Sequence, residues 1–134
     1  MPISDYATSK TAEQDGVVQT YGDFWIKIAR AGGSNKKYAK TMERKTEKYR
    51  RAIELNKLPD EKFLELFIEI YAEAVVLDWG GEGMVDENGA PIPCTREKVI
   101  EVFTQYPDLF SAVSKDAQRL ELFQQQDSEA DSGN

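Results

Sequence analysis

Two rows of charge carry the most regular spacing in the chain. Lys36, Lys40, Arg44 and Lys48 fall four residues apart, and Glu61, Glu65, Glu69 and Glu73 repeat that interval further on. Side chains four apart line one face of a helix, where like charges repel by about 0.2–0.5 kcal/mol per pair. Opposite charge is therefore expected against each row. Three occupants are open: the other row of the same chain, the other row of a second copy, or, for the basic row, nucleic-acid phosphates. Tyr38 and Tyr49 are the only rings in the basic segment, fewer than a base-stacking platform offers, and this counts against nucleic acid.

Other groupings offer less chemistry. Glu82, Asp86 and Glu87 gather carboxylates near one loop, and paired carboxylates can do acid and base work, yet nothing in their spacing locates a substrate. With Gly89 at the sixth position of a calcium-binding loop, Met84 and Thr95 occupy the first and twelfth, where acidic residues belong, so the match fails. Gly80-Gly81-Glu82-Gly83 lacks the lysine and hydroxyl residue of a phosphate-binding loop. Cys94 is the only cysteine, placed at an expected helix start where a thiolate is favoured, and no base partners it. There is no histidine, which removes the commonest general base and metal ligand. No cofactor, no metal and no enzymatic activity are expected.

The elements that carry these residues follow from periodicity. Residues 1–13 are polar without a sustained period and read as a flexible arm; 14–124 read as one domain; the polar, acidic residues 125–134 read as a disordered tail. Val17–Tyr21 and Phe24–Ala29 around Gly22-Asp23 predict a β-hairpin, with Phe24, Ile26 and Ile28 on one face and Trp25 on the other. A helix capped by Ser34 is expected over 35–55, stopped by Leu58-Pro59. A second runs from Pro59 or Asp60 to Trp79. In it Phe63, Phe67, Ile70, Ala74 and Leu77 make one stripe, and Leu64, Ile68, Tyr71 and Val75 another, so most of its sides must be covered. Thr95 caps a third helix to Tyr106, and Pro107 opens a fourth reaching Phe123. The expected fold is mainly α, about four helices in one small domain with an N-terminal β-hairpin.

Charge is unevenly spread. The net charge is −7, yet residues 34–57 hold nine basic and three acidic side chains, and residues 59–79 hold six acidic and one basic. A short turn at Leu58-Pro59 folds the two helices back as an antiparallel pair, which brings the rows together. No apolar run is long enough to span a bilayer, and the first residues lack a secretory signal's basic start and apolar block, so no membrane is expected.

Leu77-Asp78-Trp79-Gly80-Gly81, then Asp86-Glu87-Asn88-Gly89-Ala90-Pro91-Ile92-Pro93, then Pro107-Asp108-Leu109-Phe110 form an ordered set of words. In wording and layout the chain, most clearly over Tyr71–Phe123 and more loosely over Tyr21–Arg30, resembles the tail assembly chaperones of long-tailed (siphovirus-like) bacteriophages. The resemblance implies a non-catalytic protein of the host cytoplasm that self-associates, coats the tape-measure protein, yields to the tail tube protein and is absent from the finished virion. Interaction residues are then expected among Trp25, Trp79, Phe110 and Phe123 and the two charged rows, because tryptophan and buried aromatics anchor interfaces. Trp79, at the end of the most apolar helix, also suits the core. The alternative is a small nucleic-acid-binding or host-directed regulatory protein using the basic helix 36–57.

Overall fold

Val17–Tyr21 (β1) and Phe24–Ile28 (β2) pair antiparallel around Gly22-Asp23, with Val17 opposite Ile28 and Tyr21 opposite Phe24. Ile26 and Ile28 are fully buried, whereas Trp25 and Lys27 point to the other face and stay partly exposed. The structure, a computed structural model, describes residues 2–124. Across β2 lies a third strand, Val76–Gly80 (β3), also antiparallel, with Trp79 opposite Ile26 and Asp78 opposite Lys27.

That strand overturns the expected architecture. Residues 59–79 do not form one helix: the helix Asp60–Ala74 (α4) stops at Ala74, and the chain turns directly into β3. Val75 and Val76 are β-branched and suit an extended backbone, and β2 offers a free edge to pair with. Ala29 N–H donates to Val75 O at 2.8 Å, which starts the ladder at the helix end. The fold is therefore α+β, with six α-helices, a short further helical stretch at 120–124 and a three-stranded antiparallel sheet among the described residues, and not a four-helix domain with a hairpin alone.

Two further helices arise where none or one was expected. The first is Lys10–Asp15 (α1), within and just beyond the segment read as a flexible arm. Ser9 caps it, accepting from Ala12 N at 3.1 Å, while Ser9 N–H donates to Phe123 O at 2.9 Å, and Ser9, Ala12 and Glu13 are all buried. Small and charged residues carry no hydrophobic period, so this docking leaves no trace in the pattern. The basic helix divides into Lys36–Thr46 (α2), a 3-10 turn at Glu47–Tyr49 and Arg50–Glu54 (α3). Its cap is Asn35 rather than Ser34. The Asn35 side chain accepts from Tyr38 N at 3.3 Å and donates to Arg30 O at 2.8 Å and Ala74 O at 3.0 Å. The start of α2 is thus tied to the end of α4.

Arg96–Gln105 (α5) is capped by Thr95, whose hydroxyl oxygen accepts from Lys98 N at 3.2 Å. Pro107–Ala117 (α6) carries its proline in the first turn, where a missing N–H leaves no bond unmade. The expected single helix from 107 to 123 breaks at Gln118-Arg119 and resumes over 120–124. Ile26 and Ile28 of the sheet meet Ile68, Tyr71 and Val75 of the central segment, Val99 and Phe103 of α5, and Val113 of α6 in one core. Helices thereby cover one sheet face. On the other, Val18 is 56% exposed and Leu77 41%. The segment read as a disordered tail, 125–134, lies outside the described residues.

Candidate functional site

The charged rows meet only in part. α2 and α4 pack antiparallel, which brings Asn35 to Ala74, Tyr38 to Tyr71 and Lys45 to Glu69. Arg44 pairs with Glu73, and Lys45 Nζ stands 3.7 Å from Glu69 Oε1. The other members stay apart. Lys36, Lys40 and Lys48 face solvent without a carboxylate within 4 Å among the described residues; Glu61 is likewise exposed, and Glu65 pairs with Lys62 of its own helix at 3.4 Å. Lys45 was missed because it falls off the four-residue series. It belongs instead to the stripe Tyr38, Met42, Lys45, Tyr49, spaced four, three and four, the face α2 turns to α4. Arg44 is 59% exposed, so its pair adds at most about 1 kcal/mol and sets alignment rather than stability.

The expected anchors separate into core and surface. Trp79 is 5% exposed, and its indole N–H donates to Ile92 O at 2.8 Å. Phe123 is fully buried with the Arg30 guanidinium 5.9 Å from its ring centre, and Phe110 is also buried. None of these three presents a free surface. Trp25 does, lying half-buried on the open sheet face.

The acidic loop is a braced turn. Asp86 Oδ1 accepts from Asn88 N at 2.9 Å and from Ala90 N at 3.0 Å, which shapes the loop rather than presenting a free carboxylate. Among the described residues no group of three or more His, Cys, Asp or Glu is placed to hold a metal. A hollow of about 710 Å³ between this loop and α5 is walled by Asp86, Glu87, Asn88, Lys98 and Glu101, with Lys98 and Glu101 already paired at 3.0 Å. The thiol of Cys94 is the reverse of activated: burial, helped by the charge of Asp78, pushes it up to about 11. Against its ordinary 9.0 that is about a hundredfold less thiolate at a given pH. Iodoacetamide at pH 8 is expected to label Cys94 at least about tenfold more slowly in the folded chain than in urea; equal rates would contradict this environment.

A second concavity is mainly apolar. A groove of about 590 Å³ runs between α2 and α6 over α4, walled by Tyr38 and Met42, floored by Phe63, Phe67 and Tyr71, and closed by Phe110. Its rings interlock. Phe63 stacks on Phe67 with centroids 6.5 Å apart, and Tyr71 meets Tyr38 and Phe110 edge-on at 6.2 and 5.1 Å. Leu64 at its margin is 43% exposed. Ser114 and Gln118 supply a polar rim, with the Tyr71 hydroxyl 3.2 Å from Ser114 Oγ. Burial pushes the Tyr38 hydroxyl up to about 12, so both tyrosines here are neutral at physiological pH. Sequence periodicity reads Phe63, Leu64 and Phe67 as core. The signal against that reading is the breadth of apolar surface on α4, more than its neighbours cover at its N-terminal half.

The chain is thus an α+β domain with an open aromatic groove and a basic helix face, its acidic loop held in a turn. A family model described as YdaY prophage protein matches residues 33–134, so the chain belongs to that family and is phage-derived. The match takes in every residue lining the groove except Ala31 and begins beyond β1 and β2. No curated protein and no solved structure matches the chain.

Proposed function

We propose that this protein is a phage tail assembly chaperone, a non-catalytic host-cytoplasmic protein that holds the tape-measure protein soluble until tail tube protein replaces it. The aromatic groove between α2, α4 and α6 is the observation that carries this reading. A groove of this width, apolar in its floor and polar at its rim, suits one face of an amphipathic helix with side chains at intervals of three and four. A long helix-rich tape measure offers many such faces. Weak binding repeated along it gives high overall occupancy, yet each site can be lost by competition with tube subunits and no energy source. The phage family and the sequence resemblance both favour this reading over a cellular role.

Co-expression with the tape-measure gene of the same genome tests it, read by size-exclusion chromatography with light scattering. The expected result is a soluble complex of many small chains per tape measure, where the tape measure alone precipitates. Leu64→Glu places a charge in the groove margin without emptying the core, and is expected to lower the co-purified chains at least about tenfold. An insoluble tape measure beside a free small protein would overturn the reading. So would undiminished binding by the Leu64→Glu chain.

Exposed Lys36, Lys40 and Lys48, which have no carboxylate within 4 Å among the described residues, support a second reading, binding of nucleic-acid phosphates along α2. It requires affinity that falls steeply with salt, and binding that is weak and flat with salt would dismiss it.

A further inference from the structure

The groove over α4 differs from one end to the other. Its floor runs Phe63, Phe67, Tyr71 along one helix face. Because α2 is antiparallel to α4 and Tyr38 meets Tyr71, Met42, one turn further along α2, stands toward the Phe63 end. That end is apolar throughout. The other gathers polar groups: the Tyr71 hydroxyl is 3.2 Å from Ser114 Oγ, and Gln118 Nε2 donates to Ser114 O at 3.1 Å. The Tyr38 hydroxyl lies at this end too, without a hydrogen-bond partner among the described residues. No residue lining the groove carries a charged side chain.

These two ends ask different things of a bound helix. Tyr38 is half-buried in the empty groove, so its hydroxyl can still bond to solvent. An apolar side chain seated over it would bury that hydroxyl unpaired. A carboxylate or ammonium would lose its hydration with no opposite charge in the lining to offset the loss. An uncharged amide or hydroxyl meets neither penalty, because it can donate to or accept from the tyrosine oxygens. We propose that the groove selects its helix by a neutral hydrogen-bonding side chain, Asn, Gln, Ser or Thr, seated over Tyr38 and Tyr71 about two turns from an apolar anchor over Phe63. The inference rests on the groove as a helix-docking site and deepens that reading. From Phe63 to Tyr71 the floor rises about 12 Å, so a helix lying along α4 places apolar side chains at i and i+4 and the polar one at i+7. Tyr38 is then a specificity-determining residue. On a long helix only stretches with that polar break in the stripe are held, and uninterrupted apolar stripes are passed over.

The test titrates the full chain into fluorescein-labelled, alanine-rich helical peptides with leucine at i and i+4 and Gln, Leu, Glu or Lys at i+7. Anisotropy in about 0.15 M salt, which screens non-specific charge attraction, reads the affinities. The Gln peptide is expected to bind at least about fivefold more tightly than each of the others. Tyr38→Phe keeps the ring and removes a hydroxyl that no described residue uses, so it is expected to melt as the wild type does and to bind the Gln and Leu peptides equally. A Leu peptide that binds the wild type as well as the Gln peptide overturns the proposal without recourse to any variant. So does a Gln preference that survives in Tyr38→Phe, or a failure of all four peptides to bind. The peptides contain no tape-measure sequence, which separates the two readings: a Gln preference in a chain that leaves the co-expressed tape measure insoluble supports the proposal and removes the tape-measure assignment alone.

Discussion

A chain carrying Glu13→Ala is expected to lose about 3–5 kcal/mol of stability, a large part of what a domain of this size holds in reserve. Glu13 is 2% exposed. Its carboxylate accepts from the Arg30 guanidinium, from Ser34 N at 3.2 Å and from the Ser34 hydroxyl at 2.8 Å, while its backbone oxygen accepts from Arg30 N at 2.9 Å. Deleting the carboxylate strands a guanidinium that is 20% exposed and leaves the Ser34 donors unmatched. Glu13→Gln keeps an acceptor and is expected to fall between. Urea unfolding of the three chains measures the difference.

The loss should also depend on pH. Burial pushes the Glu13 carboxyl up, but the hydrogen bonds from Arg30 and Ser34 and the Arg30 charge outweigh it, and the group sits below its ordinary 4.5. A folded-state value below the unfolded one means that the unfolded chain takes up the proton first. Glu13 therefore contributes its full stabilisation above the ordinary value and loses it as pH falls through the lowered one. The gap between wild type and Glu13→Ala is expected to hold from pH 8 to about 5 and to narrow as pH falls below the ordinary 4.5. A gap that is unchanged at pH 3 would contradict the assignment.

Tyr71→Ala is expected to cost about 3–5 kcal/mol, the range for emptying a large aromatic from a core. Tyr71 is 2% exposed, edge-on to both Tyr38 and Phe110, and it joins α2, α4 and α6 at the floor of the groove. Tyr71→Phe removes only the contact of its hydroxyl with Ser114 and should cost about 0.5–1.5 kcal/mol. Thermal melts rank the stabilities of the pair. Tyr71→Ala melting with Tyr71→Phe would mean that the ring does not bridge the three helices.

Local signals were legible where one element decides them. Gly22-Asp23 between two alternating runs is the hairpin, Thr95 caps its helix, and Pro107 opens the next. What escaped depends on partners far away in sequence. Val75-Val76-Leu77-Asp78-Trp79 continues the apolar stripes of α4 and becomes a strand only because β2 stands ready beside it. Glu13 reads as a solvated residue of a polar arm until Arg30 and Ser34 are seen to close on it. Of the candidate site, the antiparallel charge contact was half visible: Arg44 and Glu73 lie in the rows, and Lys45 does not. The groove was not visible, since a half-covered phenylalanine and a buried one have the same period. The glycines of the expected turn have a steric reason. Gly81, at φ +103, would put a Cβ 2.8 Å from Phe24 Cα, so the segment after β3 passes directly against the β1–β2 turn.

The junction of α4 with β3 also sets an order of assembly. The β1–β2 turn and the α2–α4 pair form from residues close in sequence, but β3 reaches β2 only after the whole α2–α4 segment has been threaded between them. Closing so long a loop is entropically slow compared with a hairpin or a helical turn. During synthesis β2 therefore waits with a bare edge until residue 80 has left the ribosome, and a nascent chain halted before that point exposes a strand open to pairing with other chains. For the same reason, residues 33–134 made alone would lack the strand that β3 pairs with, and that stretch is expected to be less stable than the full chain.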